Sequence, residues 1–317
     1  MEALIAPRGL IVDLITPLNL DRSIDTLGLE KILDRITPWA QAILLAGPGA
    51  GEGENLDLVQ RQELLEKALS FTHGLIPVIM WITQDTENKT AEAVNLLKGA
   101  IGPEEHACQV FWMDSPLYYH SNRGLASHYQ NMISMVDQPF VLHNDPGLTE
   151  KVARPFKRKN IRTAILKDLC RMEGVVGLVF SGTLDRTHNY QRACRGQARF
   201  RLYDGDETRF LDHPSMSGVV SIGANLSPRA WQRITRSSLQ LTDDNRVYPD
   251  HLRQIWELGQ YLRNLKDIYH RMAIPIIKSS LSDMGIIKTP TCTFAVEDVQ
   301  EEAIRVRKLI ARYEDSS

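Results

Sequence analysis

The sequence lacks the cysteine patterns of a disulfide-stapled or zinc-binding protein. Its 317 residues include four scattered cysteines, with no CxxC pair and no histidine at zinc-ligand spacing: Cys108, Cys170, Cys194 and Cys292. Cys108 lies in an apolar, strand-like run, which predicts a reduced thiol in the core. The cysteines therefore predict no zinc site, and we expect no cofactor.

Long hydrophobic runs and an excess of one charge are also missing. The longest apolar run, residues 75–82, is far shorter than the roughly 20 residues of a membrane helix. The N-terminus has no basic segment followed by a long apolar one, so it predicts no signal peptide. A formal net charge of -2 gives no reason to expect a nucleic acid or membrane partner. We expect a soluble, cytoplasmic protein.

What the sequence does contain is a regular alternation of strand and helix patterns. Eight apolar runs predict strands, at 9–15, 42–46, 76–81, 108–112, 140–143, 175–180, 200–203 and 218–222. Helical patterns separate them, beginning near 25, 58, 86, 125, 149 and 183. Eight such units predict an α/β fold, a (β/α)₈ TIM barrel over residues 1–230. A doubly wound sheet is the alternative, although no GxGxxG opens the first helix.

After residue 230 the strand patterns stop. A long amphipathic pattern from Leu252 to Leu262 is followed by helical patterns near 276–284 and 297–313. The sequence therefore predicts that residues 231–317 form a C-terminal helical appendage packed on the barrel.

Candidate functional residues follow from the barrel, because its chemistry lies where the strands end. The glycine-rich loop Gly47–Gly53 offers backbone N–H groups to a carboxylate or phosphate, although tight turns also explain its glycines. His143 is a candidate acid–base group or a histidine bonded to backbone. Asp204, Asp206 and Glu207 could join His143 in an oxygen-rich metal site, or serve as helix N-caps.

Together these motifs resemble the dihydrodipicolinate synthase/N-acetylneuraminate lyase family, in order along almost the whole chain. The matching segments are Thr16-Pro17, Gly51-Glu52, Pro116–Gly124, Asn144 with Pro146, Gly205-Asp206, Gly218–Asn225 and Pro275–Lys278. The resemblance implies a TIM barrel, a homo-oligomer (dimer or tetramer) and class I aldolase or lyase activity on pyruvate-like 2-oxo acids. It also implies a strand 6 lysine that forms a Schiff base with the substrate.

At the Schiff-base position, however, the family's G-x-K pattern reads Gly177-Leu178-Val179. A shifted alignment does not supply the amine, because the chain has no lysine between Lys167 and Lys266. Val179 therefore occupies the lysine position, and a hydrocarbon side chain cannot form an imine.

The resemblance places other catalytic roles on residues that lack the required groups. The proton-shuttling tyrosine falls on His143, and the two hydroxyl residues of the GTTGE loop fall on Gly49 and Ala50. The arginine that binds a substrate carboxylate falls on Leu148. Tyr118 alone keeps its place, as the tyrosine that reaches a neighbouring subunit's site.

Two hypotheses about function follow. In the first, the barrel has lost Schiff-base catalysis and serves a binding, regulatory or assembly role, with an apolar, partly filled pocket. In the second, it is a lyase or aldolase-type enzyme on small 2-oxo acids that uses other chemistry. His143 is then the acid–base residue, Glu52 or Asp206 assists, and a metal ion is a further possibility. A third hypothesis keeps Schiff-base chemistry through Lys278.

The residues predicted for the site fall into two groups. The catalytic candidates are His143, Tyr118 and Glu52. The candidates for binding a small carboxylate or 2-oxo acid are Gly49, Ala50, Gly51, Gly205 and Val220.

Overall fold

The computed structural model describes residues 5–102, 109–152, 158–215, 217–239 and 250–314. Eight parallel strands close into a barrel in sequence order, with β8 beside β1. The strands are β1 (Gly9–Asp13), β2 (Ala42–Leu45), β3 (Val78–Trp81), β4 (Val110–Asp114), β5 (Phe140–Asn144), β6 (Val175–Phe180), β7 (Arg201–Asp204) and β8 (Gly218–Ser221). This topology confirms the predicted (β/α)₈ barrel.

Helices follow the strands around the outside, and further helices follow the barrel. They are α1 (Thr26–Ile36), α2 (Leu58–Thr72), α3 (Glu87–Lys98), α4 (Leu125–Met135), α5 (Pro146–Lys151), α6 (Thr163–Leu169), α7 (Leu184–Ala193), α8 (Glu207–Asp212), α9 (Pro228–Ser238), α10 (Asp250–Tyr269), α11 (Ala273–Asp283) and α12 (Gln300–Glu314). Side-chain caps determine where several helices begin. The first backbone N–H groups of a helix have no partner within it, and the oxygen of a capping side chain accepts a hydrogen bond from one of them. Asp25 caps α1, Thr86 caps α3, and Asp57 with Gln60 forms a capping box on α2.

Apolar side chains fill the barrel interior. Its buried cluster includes Ile11, Leu44, Trp81, Met113 and Val179. A second, larger cluster fills the layer between strands and helices. Both faces of each strand are thus covered, which explains why the strands read as continuous apolar runs in the sequence.

Three details differ from the sequence-based expectations. The fourth strand lies two residues later than predicted, and Cys108 falls outside the described residues. The described parts of the 149–171 connection form two helices, α5 and α6, because the Asn144 side chain bonds to the backbone of Lys159 and Ile161 and holds that stretch at the end of β5. The helices α8 and α9 were not predicted.

The predicted domain boundary near residue 230 falls inside α9, which packs against β1. Whether residues 231–317 form a separate unit stays a prediction. Within the described ranges, no helix is both long and apolar enough to cross a membrane.

A buried ion pair joins the C-terminal helices to the barrel. Lys278 of α11 pairs with Glu52 of the loop after β2, and both side chains are fully buried. Lys278 also donates to the Thr291 carbonyl at 2.8 Å, and the second Glu52 oxygen accepts from the Thr293 backbone N–H at 2.7 Å. Both charges therefore have partners, as buried charges require.

Breaking this pair should destabilise the protein strongly. Lys278→Met leaves an unpaired buried carboxylate, so we expect the free energy of unfolding to fall by about 3–5 kcal/mol. Adding Glu52→Gln removes that charge and should restore much of the loss. Urea unfolding measures both effects.

The matched control is Lys67→Met, which breaks a partly exposed pair with Glu63 and should cost less than about 1 kcal/mol. If both substitutions lowered the free energy of unfolding equally, the buried ion pair of Lys278 would not be the stabilising contact that we infer.

Candidate functional site

A cavity of about 580 Å³ opens at the C-terminal ends of the strands. It is lined by residues from strand ends, from the loops that follow them and from α10, including Asp13, Gly49, His143, Val179, Glu207 and Lys266. A larger cavity of about 810 Å³ lies elsewhere, among α9, α10 and α12. We take the smaller one as the candidate site, because strand ends are where this fold carries out chemistry.

Asp13, the last residue of β1, is the most unusual group in this cavity. Its side chain is buried, one carboxylate oxygen accepts from the Ala50 backbone N–H at 3.0 Å, and the other has no hydrogen-bond partner among the described residues. Burial raises the pKa of Asp13 to about 7, against the lowering effect of the Ala50 hydrogen bond, and the nearby Glu207 raises it further. Asp13 can therefore hold or release a proton near neutral pH.

Glu207, by contrast, is held by hydrogen bonds from two sides of the cavity. One of its oxygens accepts from the Ser221 hydroxyl at 2.6 Å and from the Gly223 backbone N–H at 2.7 Å. The other accepts from the Tyr269 hydroxyl of α10 at 2.5 Å, and burial is the main reason why the pKa of Tyr269 lies well above its usual value. These bonds fix Glu207 and connect α10 to the mouth of the barrel.

His143, the predicted acid–base residue, lies in the cavity wall on β5. Its Nδ1 atom is 2.8 Å from the Ser115 hydroxyl, which accepts from the Trp81 indole N–H at 2.9 Å. Burial lowers the pKa of His143, although Asp145 and Asp114 oppose this shift, so the neutral imidazole is favoured. The Nε2 atom bonds to none of the described residues, which leaves it available to a ligand in the cavity.

Val179 lies on the inner side of β6 and lines the same cavity. It is almost fully buried and belongs to the apolar cluster of the interior. A lysine at this position would direct its amine towards the cavity, whereas valine offers only a hydrocarbon surface.

The structure separates the other predicted catalytic residues from His143. Glu52 does not line the cavity, because its carboxylate pairs with Lys278 and Thr293 behind the loop. Lys278, the lysine of the third hypothesis, is fully buried in that same pair. Tyr118 is half-buried beside the interior cluster, and its pKa is raised mainly by burial and secondly by Glu54.

The predicted binding residues are partly in place. Gly49, Gly205 and Val220 line the cavity. The Ala50 amide, however, already donates to Asp13, and the Gly51 carbonyl accepts from the Thr16 hydroxyl at 2.7 Å. One amide of the predicted anion-binding loop is thus occupied by the protein's own carboxylate.

The acidic residues considered for a metal site have other roles. Asp204 accepts from the Arg209 side chain at 2.6 Å and the Ser215 backbone N–H at 2.7 Å, and Asp206 is the N-cap of α8. Most of the cavity lining is apolar, and Asp13 and Glu207 add two carboxylates to it, so the apolar, partly filled pocket of the first hypothesis stays a prediction.

Sequence reasoning missed Asp13 and the lysines of the cavity wall. Asp13 could have been found from the sequence, because a charged residue inside an apolar strand pattern indicates a buried polar group. Lys151 and Lys266 could not have been found in this way. They lie on helices, and only the folded structure shows which side of each helix faces the cavity.

Comparisons with known proteins agree with this architecture. A model of the dihydrodipicolinate synthetase family matches residues 6–311. The 4-hydroxy-tetrahydrodipicolinate synthase of Shewanella pealeana is 28% identical over 301 residues, which cover 93% of each protein. That of Methylococcus capsulatus is 28% identical over 290 residues, which cover 89% of this chain and 90% of the relative.

Solved structures share the fold over nearly the whole chain. A monomeric dihydrodipicolinate synthase variant matches with a TM-score of 0.79 at 18% identity, covering 97% of both chains. Dihydrodipicolinate synthase from Aquifex aeolicus matches with a TM-score of 0.77 at 21% identity, covering 97% of this chain and 98% of the other. At these identities the structural matches establish a common fold.

Asp13 should make stability depend on pH. The carboxyl ionises near its ordinary value of 3.8 in the unfolded chain and near 7 in the folded protein, so between these values the folded state binds more protons. The Asp13 contribution to the free energy of unfolding therefore falls as pH rises through this window. Between pH 5 and pH 8, we expect the free energy of unfolding of the wild type to fall by about 2–3 kcal/mol more than that of Asp13→Asn.

Asparagine is the matched substitution, because it keeps the shape and can still accept from the Ala50 amide. Urea unfolding of both proteins at the two pH values measures the difference. Parallel pH dependences would show that Asp13 ionises normally in the folded protein.

Proposed function

This chain belongs to the dihydrodipicolinate synthetase family, and on that basis we propose that it binds a small molecule at the barrel mouth without forming a Schiff base. Its role is then binding, regulation or assembly rather than lysine-dependent aldol chemistry. The observation that carries this proposal is Val179, an apolar side chain in the cavity at the position where the resemblance places the reactive amine.

The other cavity lysines are poor replacements for that amine. Lys151 pairs with Glu54 at 2.7 Å, and Lys266 lies 3.7 Å from an Asp206 oxygen. Both belong to helices at the rim rather than to strands of the barrel. An ammonium group paired with a carboxylate is not the free amine that attack on a ketone requires.

Binding of a 2-oxo acid through its carboxylate also lacks support in this chain. The Ala50 amide donates to Asp13, and Leu148 stands where the resemblance places a carboxylate-binding arginine. With Asp13 and Glu207 facing the cavity, the surroundings favour a ligand that presents hydrogen-bond donors to these two residues.

We also propose a cytoplasmic homo-oligomer, a dimer or tetramer, as the resemblance implies. Tyr118 is the residue in this chain that the resemblance places next to a neighbouring subunit. Its position in a 3₁₀ turn after β4, half-buried beside the interior cluster, is compatible with that role.

Borohydride reduction in the presence of pyruvate tests the central proposal. We expect no covalent adduct by intact-mass spectrometry, because the cavity offers no free amine at Val179. If an adduct forms, peptide mapping together with Lys151→Met and Lys266→Met identifies the lysine. Any adduct on a cavity lysine would overturn the proposal.

A second candidate function is proton transfer on a small 2-oxo acid, in a lyase or aldolase-type reaction without an imine. The specific observation in its favour is that two proton-carrying groups line one cavity. These are Asp13, with a pKa of about 7, and His143; one oxygen of Asp13 and the Nε2 atom of His143 bond to none of the described residues. Either can accept a carbon-bound proton next to a carbonyl group, provided that the ligand reaches it.

Proton exchange distinguishes the two candidates. If the second is correct, the methyl protons of pyruvate should exchange in D₂O faster with the protein than without it, because enolisation precedes carbon–carbon bond chemistry. Proton NMR measures the rate, and His143→Ala should reduce it by about 10²–10⁴-fold.

The matched control is His188→Ala, which removes an exposed histidine on α7 and should leave the rate unchanged. If the wild type produces no exchange with pyruvate and related oxo acids, with or without added divalent metal, the binding role is the better account.

A further inference from the structure

Three side chains on the outside of the barrel form a cluster that the cavity does not use. Glu87 is the first residue of α3, His120 follows β4, and His128 lies on α4. One ligand atom from each lies within 4.8 Å of the others. We propose that Glu87, His120 and His128 form a binding site for a divalent transition-metal ion, with Zn²⁺ as the best match.

The first support comes from the hydrogen bonds of His128. Its Nε2 atom is 2.8 Å from the Tyr119 hydroxyl, and that hydroxyl donates to the buried Asp114 carboxylate at 2.8 Å. Because the Tyr119 proton points to Asp114, the tyrosine oxygen is the acceptor and His128 Nε2 carries a proton. In the neutral ring, Nδ1 therefore presents a lone pair.

That lone pair faces a negatively charged oxygen. His128 Nδ1 lies 3.0 Å from a Glu87 carboxylate oxygen, and two acceptors cannot form a hydrogen bond with each other. Either a second proton on the imidazole or a cation must therefore lie between them.

His120 presents a second lone pair to the same carboxylate. Its Nδ1 atom is 2.6 Å from the Ser121 carbonyl oxygen, which can only accept, so Nδ1 carries the proton. The Nε2 atom is consequently the bare nitrogen, and it lies 3.7 Å from the other Glu87 oxygen. The two imidazole rings are stacked at an angle of 22°, with centroids 5.0 Å apart.

This arrangement has the features of a preformed metal site. Metal-binding histidines donate their second N–H to a fixed acceptor, as His120 does to Ser121 and His128 does to Tyr119. Two ligand atoms on a tetrahedral Zn²⁺ ion are about 3.3 Å apart. The nitrogen–oxygen distances of 3.0 and 3.7 Å, each to a different oxygen of the Glu87 carboxylate, are close to that value, and one ligand atom from each residue lies within 4.8 Å of the others.

The donor set selects the kind of ion. Two imidazole nitrogens with one carboxylate suit Zn²⁺ and other first-row transition metals, whereas Mg²⁺ and Ca²⁺ prefer oxygen ligands. The Glu87 side chain is about half exposed, at 52%, so water can reach the fourth position. A bound ion would join α3 and α4 to the segment after β4 that carries Ser115, the partner of His143.

Zinc titration of the intact, EDTA-treated protein tests the proposal. Isothermal titration calorimetry should give one Zn²⁺ per chain in the wild type, and His120→Gln and Glu87→Gln should each abolish this binding. Tyr119→Phe keeps all three proposed ligands but removes the acceptor that orients His128, together with the hydroxyl's bond to Asp114, so it should weaken binding about tenfold. His188→Gln, at an exposed histidine, is the matched control and should bind as the wild type does.

Two further measurements keep the test decisive. Circular dichroism verifies that each variant is folded, and Glu87→Gln covers the case in which a histidine variant does not fold. Nitrogen-15 NMR should place Zn²⁺ on Nδ1 of His128 and Nε2 of His120. The absence of binding would overturn the proposal in favour of an imidazolium–carboxylate pair. Equal binding by wild type and Glu87→Gln, or coordination through the opposite nitrogens, would also overturn it, because Zn²⁺ would then bind elsewhere or in another geometry.

Discussion

The hydrogen bond from the Ala50 amide to the buried Asp13 carboxylate shapes the barrel mouth. The carboxylate fits only because its neighbours have no side chain. A Cβ atom on Gly47 would lie 2.3 Å from one Asp13 oxygen, and a Cβ atom on Gly49 would lie 2.5 Å from the other. The resemblance assigns a hydroxyl residue to position 49, and the glycine that stands there leaves the space that the Asp13 carboxylate occupies.

This coupling gives the altered site a coherent physical explanation. A loop whose amide already binds an internal carboxylate has less capacity for the carboxylate of a ligand, and Val179 offers no amine to a ketone. The two changes affect different parts of one reaction, namely recognition of the acid and attack on its carbonyl carbon. Both features support the proposal that the barrel binds a small molecule without forming a Schiff base.

The fold was largely predictable from the sequence, because buried parallel strands leave continuous apolar runs and helix starts leave capping residues such as Asp25 and Asp57. The candidate site was less predictable from the sequence. His143 could be placed at a strand end, but the partners of Glu52 lie more than two hundred residues away in α11 and the segment after it. The cluster of Glu87, His120 and His128 was also missed, since three separate elements bring it together.

The C-terminal helices show why strand-end motifs alone do not define this site. Tyr269 of α10 holds the Glu207 carboxylate at 2.5 Å, and Lys266, one helical turn earlier, lines the same cavity. Lys278 of α11 takes Glu52 out of the cavity by pairing with it behind the loop. The appendage thus determines which of the barrel's acidic residues face a ligand and which hold the fold together. Residues of α10 and α11 therefore line the candidate site together with the strand ends.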